Sequence, residues 1–108
     1  MDQKTLHSFR ECIPVFQALL DPHRQDIVAL LSEKGRLTVK EIVASSALSR
    51  SAISHHLQTL KIVGIVSATK IGTEQFYQLH LTEATNQLKT LVANLEEELS
   101  LEAEHEHD

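Results

Sequence analysis

A mainly α fold with a small β-hairpin is what this 108-residue sequence predicts, and three observations predict it. Apolar residues recur at alternating steps of three and four near both ends of the chain, the spacing of a helical stripe. Between Gly64 and Leu79 the period changes to two on either side of Ile71-Gly72-Thr73, as in two strands joined by a tight turn. Gly35 and Gly64 stand where helical patterns stop.

The first segment places Leu6, Phe9, Ile13, Phe16 and Leu20 on one seam. Pro14 lacks an amide donor and disfavours helical geometry at Ile13, so the spacing predicts one helix to about residue 12 and a second, short one from Pro14. In LLDPHRQDIVALLSEKG, Asp21 is placed to cap, Pro22 occupies the first helical position, and Gly35 ends the helix. Ile27, Val28, Leu30 and Leu31 form its buried face. Thr38 and Glu41 have the spacing of a capping box and predict a two-turn helix over 39–45. SSALS breaks that pattern, and Ser49 caps a longer helix from 50 to about 63. IVSATK and EQFYQL form the hairpin. The final helix, capped by Thr82 or its neighbour, carries Ala84, Leu88, Leu91, Leu95 and Leu99 on one stripe. From about Glu102 the sequence EAEHEHD has no apolar residue large enough to dock it. One domain over 1–101 and a disordered acidic tail over 102–108 are therefore expected.

The bulk composition excludes several classes. Hydrophobic residues make up 42% and charged residues 23%, as in globular proteins. No run approaches the roughly 18 apolar residues of a membrane span, and MDQKTLHSFRE lacks the regions of a signal peptide, so a cytoplasmic protein is expected. The lone Cys12 has no internal disulfide partner and is read as a small buried hydrophobe. A redox switch would need Cys12 of a second copy to resolve it.

The net charge of -5 conceals an uneven distribution. Residues 34–72 set six Lys and Arg against Glu41 alone, a net of +5, whereas residues 73–108 carry nine acids against Lys89, a net of -8. The cationic third is also where two helices joined by a short turn read as helix-turn-helix. In its second helix, SRSAISHHLQTL sets Ile53, Leu57 and Leu60 on one stripe and shows Arg50, Ser51, Ser54, His55 and Gln58 elsewhere. Compact donors and acceptors suit close approach to base edges in a major groove, and an arginine can bond guanine or grip a phosphate. Serines also occur simply as caps, and His55 and His56 could be structural.

The order helix, helix, helix-turn-helix, hairpin, helix is a winged helix-turn-helix arrangement. Over residues 13–80 the sequence resembles the ArsR/SmtB winged-helix repressors of bacteria, through LLDPHRQDIVALL, the S-H-H-L of Ser54 to Leu57, and the wing ending FYQL. The resemblance implies a homodimer through the first and last helices, with Leu6, Phe9, Ile13, Leu88, Leu91 and Leu95 as interface candidates. It implies a 50–63 helix in the major groove of double-stranded DNA at an inverted-repeat operator. Arg50, Ser51, Ser54 and His55 would then contact DNA, with Gln58 on the same face and Lys70 or Thr73 touching backbone at the wing tip. His56 falls nearer the Ile53 and Leu60 stripe and is expected to pack. Family wings often carry a basic residue beyond the turn glycine; here Thr73 and Glu74 follow Gly72, so Glu74 is expected to point away from DNA.

Many members of that family sense metals. The cysteine pair of one family site is missing from RLTVKEIV. The positions of another hold Leu81, Glu83, Asn94 and Glu97, which lack the imidazoles that zinc, nickel or cobalt sites use. His105 and His107 in the tail are the remaining metal candidates, and no cofactor is expected. A winged-helix protein-interaction module working through its acidic C-terminal region is the alternative reading. An enzyme is not expected, because there is no phosphate loop, no nucleophile beside a base and no pair of carboxylates set in a plausible cleft.

Overall fold

The computed structural model describes residues 1–106, with the side chains of 1–105. Five helices and three short strands follow in the order α1 (Gln3–Leu19), α2 (Pro22–Lys34), β1 (Leu37–Thr38), α3 (Val39–Ala44), α4 (Arg50–Ile62), β2 (Val66–Ile71), β3 (Glu74–Leu79) and α5 (Thr82–Glu106). The expected mainly helical winged helix-turn-helix is present.

Helix α1 departs from expectation in two ways. It runs unbroken through Pro14. Proline leaves the carbonyl four residues earlier without its usual donor, but Arg10 and Pro14 both face solvent, where water can satisfy it. The side chains that α1 buries within the chain are the smaller ones: Thr5, Ser8, Cys12, Val15 and Ala18. The larger seam read from the sequence lies outward, with Leu6 and Phe9 half-buried and Ile13, Phe16 and Leu20 exposed.

The capping chemistry sets the remaining boundaries. Asp21 accepts from the His23 amide at 2.8 Å, Pro22 opens α2, and Gly35 closes it at φ 80°. Both halves of the Thr38–Glu41 box form, and Ser49 Oγ accepts from the Ala52 amide at 3.2 Å. The last carbonyls of α1 find donors on α2: Arg24 Nε donates to the Ala18 carbonyl at 2.6 Å and Gln25 Nε2 to that of Leu19 at 2.7 Å. Ile27, Leu31, Ile42, Ile53, Leu57, Leu60, Ile65 and Val66 make the centre of the core.

The hairpin is part of a larger sheet than expected. Leu37 and Thr38 pair antiparallel with Tyr77 and Phe76, giving a three-stranded sheet in the order β1-β3-β2. Ile71 pairs with Glu74, so Gly72-Thr73 is a two-residue turn with positive φ only at the glycine, the type II′ form that suits a twisted hairpin. Residues 102–106, expected to leave the final helix, continue it to Glu106.

Candidate nucleic-acid interface

Ile53, Leu57 and Leu60 are at most 1% exposed and fasten α4 to the core. Their burial dictates what faces outward, because each residue turns the helix by about 100°. Ser51, Ser54, His55 and Gln58 consequently share one exposed arc, and Arg50 borders it at the first helical position. Ser51 Oγ lies 3.2 Å from Ser49 Oγ, so this hydroxyl is tied to the cap as well as facing out. No Asp or Glu occurs between Glu41 and Glu74, so α4 and its approach carry no carboxylate, and Glu74 is the first one met, just beyond the wing's turn. Such a face admits a polyanion without like-charge repulsion.

The remaining candidates lie on the hairpin. Lys70 and Thr73 are exposed near its tip. Lys70 is paired with Gln75 and Ile71 with Glu74, and successive side chains of a strand alternate faces, so Glu74 and Lys70 lie on opposite sides of the ribbon. Arg36, which the sequence reading passed over, stands 5.5 Å from the Phe76 ring centre, a cation–π contact at the wing's base. The strand β1 puts it there, and a two-residue strand leaves no alternation to detect.

His56 is half-buried behind the exposed arc, as its place near the apolar stripe suggested. Its Nδ1 lies 3.3 Å from Arg24 Nη1. Burial foremost, with Arg24 beside it, holds the imidazole below its ordinary range against the opposing pull of the Asp21 carboxylate. Arg24 is a second residue that sequence reasoning missed, since its partners lie 6 and 32 residues away.

The interface candidates separate into two groups. Leu91 is 5% exposed and already covered within the chain, whereas Leu6, Phe9, Leu88 and Leu95 are half-buried and Ile13 is exposed. Exposed Val92 and Leu99 lie close to Leu88 and Leu95 around α5. Beneath them, α1 and α5 are joined by polar contacts. Asn94 Nδ2 donates to Ser8 Oγ, Thr5 Oγ1 donates to Glu98 Oε1 at 3.1 Å, and Lys4 Nζ pairs with Glu97 Oε2 at 2.9 Å.

These contacts engage two of the four positions compared with a metal site, Asn94 and Glu97; Glu83 and Leu81 are exposed. Among the described residues no three His, Cys, Asp or Glu side chains converge as metal ligands. His105 is exposed near the end of α5, and His107 lies outside the described residues. Cys12 is fully buried, and burial raises its thiol pKa, which leaves it neither accessible nor ionised for the redox role considered above. No helix of the described residues is long and apolar enough to cross a membrane.

Comparison with known proteins gives concordant results. Residues 21–68 match the family described as bacterial regulatory protein, arsR family. An HTH-type transcriptional regulator of Methanocaldococcus jannaschii is 38% identical over 74 residues, 68% of this chain and 83% of that protein. The transcriptional repressor SdpR of Bacillus subtilis is 37% identical over 68 residues, 63% of this chain and 74% of the repressor. Among solved structures, an ArsR-like transcriptional regulator from Rhodococcus sp. RHA1 superposes with a TM-score of 0.73 at 26% identity, covering 88% of this chain and 92% of that one. The homodimeric winged helix-turn-helix DNA-binding domain of Mb0332 from Mycobacterium bovis shares the fold, with a TM-score of 0.67 at 23% identity over 95% of this chain and 93% of that one.

Proposed function

Because the chain belongs to the ArsR family of bacterial regulatory proteins, we propose that it is a DNA-binding transcriptional repressor that acts as a homodimer on an inverted-repeat operator. The observation that carries this reading is the exposed arc of Ser51, Ser54, His55 and Gln58, bordered by Arg50, on a helix with no acidic residue. In the proposed complex the N-terminal part of α4 enters the major groove, Arg50 bonds a guanine or a phosphate, and the hydroxyls and imidazole meet base edges. Lys70 and Thr73 contact backbone from the wing. Such work puts the protein in the cytoplasm with the chromosome.

The homodimer is supported by the outward apolar face of α1 and α5. Ile13, Phe16, Leu20, Val92 and Leu99 are each more than 40% exposed, and a second copy would cover such side chains. Twofold symmetry then requires two half-sites about one helical turn, or a multiple of one, apart.

The family's metal positions are proposed to serve packing here, Asn94 toward Ser8 and Glu97 toward Lys4. Zinc or nickel added to the operator complex should leave its affinity within about twofold. A tenfold loss would reject that part of the reading.

Selection of bound duplexes from a random pool tests the whole. An enriched palindrome, with affinity falling steeply as salt rises, is the expected result. Retention of no duplex at low ionic strength would end the repressor reading.

A further inference from the structure

The guanidinium of Arg24 touches three elements at once. Nε donates to the Ala18 carbonyl near the end of α1 at 2.6 Å, Nη1 lies 3.7 Å from the Asp21 carboxylate that caps α2, and Nη1 also lies 3.3 Å from His56 Nδ1 on α4. Only 16% of its side chain is exposed. His56 precedes Leu57 in the core and follows His55 on the reading face, with the two imidazole centres 5.9 Å apart. One side chain thus bridges the helix that offers an apolar face to a second copy and the helix that faces DNA.

We propose that Arg24 is a positioning residue coupling α1 to the reading helix α4, and that protonation of His56 uncouples them, so that acid weakens discrimination between operator and other DNA. This rests on the repressor reading given above.

The chemistry sets the direction. Arginine has only donors, so His56 Nδ1 must accept, which requires the neutral ring with its proton on Nε2. A protonated ring presents donors at both nitrogens and a second positive charge to the guanidinium, and the contact is lost. Among the described residues, the groups that act on His56 are His23 and Arg24 from α2, His55 from α4, and the carboxylate of Asp21. Burial first, and then the cations, hold the ring below 6.5 against the pull of Asp21, so it is neutral near pH 7.5 and takes up a proton on the acid side of 6.5.

Raw affinity is the wrong readout, because acid makes any protein more cationic and so more attractive to any DNA. The ratio of operator to scrambled-duplex affinity removes the sequence-independent part of that attraction, and the His56→Gln profile carries every other effect of acid on the reading face. It is to be measured between pH 7.5 and 5.0 on the selected operator and a scrambled duplex, by fluorescence anisotropy. Comparison of the parent with Arg24→Met and His56→Gln isolates the contact. Glutamine keeps an acceptor for Arg24 but cannot titrate.

The parent ratio should fall about tenfold over this range, a coupling of ordinary size. His56→Gln should keep the parent ratio at pH 7.5 and show a flattened profile. Arg24→Met should begin about tenfold lower and lose the same pH dependence. The coupling is overturned if His56→Gln follows the parent profile, or if folded Arg24→Met discriminates as well as the parent at pH 7.5. Should Arg24→Met fail to fold, the His56→Gln profile decides alone. A parent that binds no duplex instead removes the repressor reading and the coupling with it.

Discussion

Asn94 on α5 donates a hydrogen bond to Ser8 on α1, and Ser8 in turn donates to the Lys4 carbonyl at 3.0 Å. Asn94 and Ser8 are 6% and 5% exposed, so the pair is a buried polar stitch in the seam between α1 and α5. Asn94→Ala should cost about 1–3 kcal/mol, because a buried partner is removed and a cavity is left. Urea denaturation would read this as a lower midpoint at unchanged slope. The double change Ser8→Ala with Asn94→Leu should recover much of the loss, since it removes both polar groups together.

Arg50 and His55 are exposed and fasten nothing in the core, so their replacement separates binding from folding. Arg50→Ala and His55→Ala should each cost about 1–3 kcal/mol in operator binding and broaden base preference, with thermal melting unchanged. Operator titrations followed by anisotropy check both effects. Parent-like binding by both variants would remove α4 from the interface.

Ile13 and Val92 are 45% and 51% exposed on the outward apolar face. A twofold interface contains every substitution twice, and an unpaired carboxylate buried there costs roughly 2 kcal/mol or more per copy. Ile13→Glu or Val92→Glu should therefore raise the dimer dissociation constant by about a thousandfold while leaving the helical content intact. Sedimentation equilibrium at micromolar concentration would then find monomers.

Glu98 accepts from the Asp2 amide at 2.8 Å and from the Thr5 hydroxyl at 3.1 Å, and these donors, the amide foremost, hold its carboxyl below the usual 4.5. Glu41 is held low in the same way by the Thr38 amide and hydroxyl. Because both shifts are downward, each contact contributes fully above pH 4.5 and is lost as the pH falls through the folded value. Unfolding free energy should thus decline on the acid side of 4.5, and Glu98→Gln should make that decline shallower. Denaturation curves at pH 3 to 6 provide the comparison.

Local chemistry made much of the fold readable. Asp21, Pro22 and Gly35 bracketed α2, Thr38 and Glu41 announced α3, and Ser49 opened α4, each through a bond within a few residues. What escaped depended on distant partners. Pro14 was read as a break because its exposed setting and the packing of Cys12, Val15 and Ala18 are tertiary facts. Large Leu6, Phe9 and Ile13 were correctly seen to share a face, but nothing local tells that smaller Thr5, Ser8 and Cys12 supply the intrachain contact. The α4 arc followed from periodicity alone. Arg24 did not, since an arginine in DPHRQD resembles any surface cation until α1 and α4 are folded around it.

The concealed thiol of Cys12 supplies a native clock. With one sulfur in the chain's only cysteine, 0% exposed and reluctant to ionise, alkylation must wait for the structure around α1 to open. The labelling rate by a thiol reagent therefore reports the population of those openings, with no engineered probe and no background from a second cysteine.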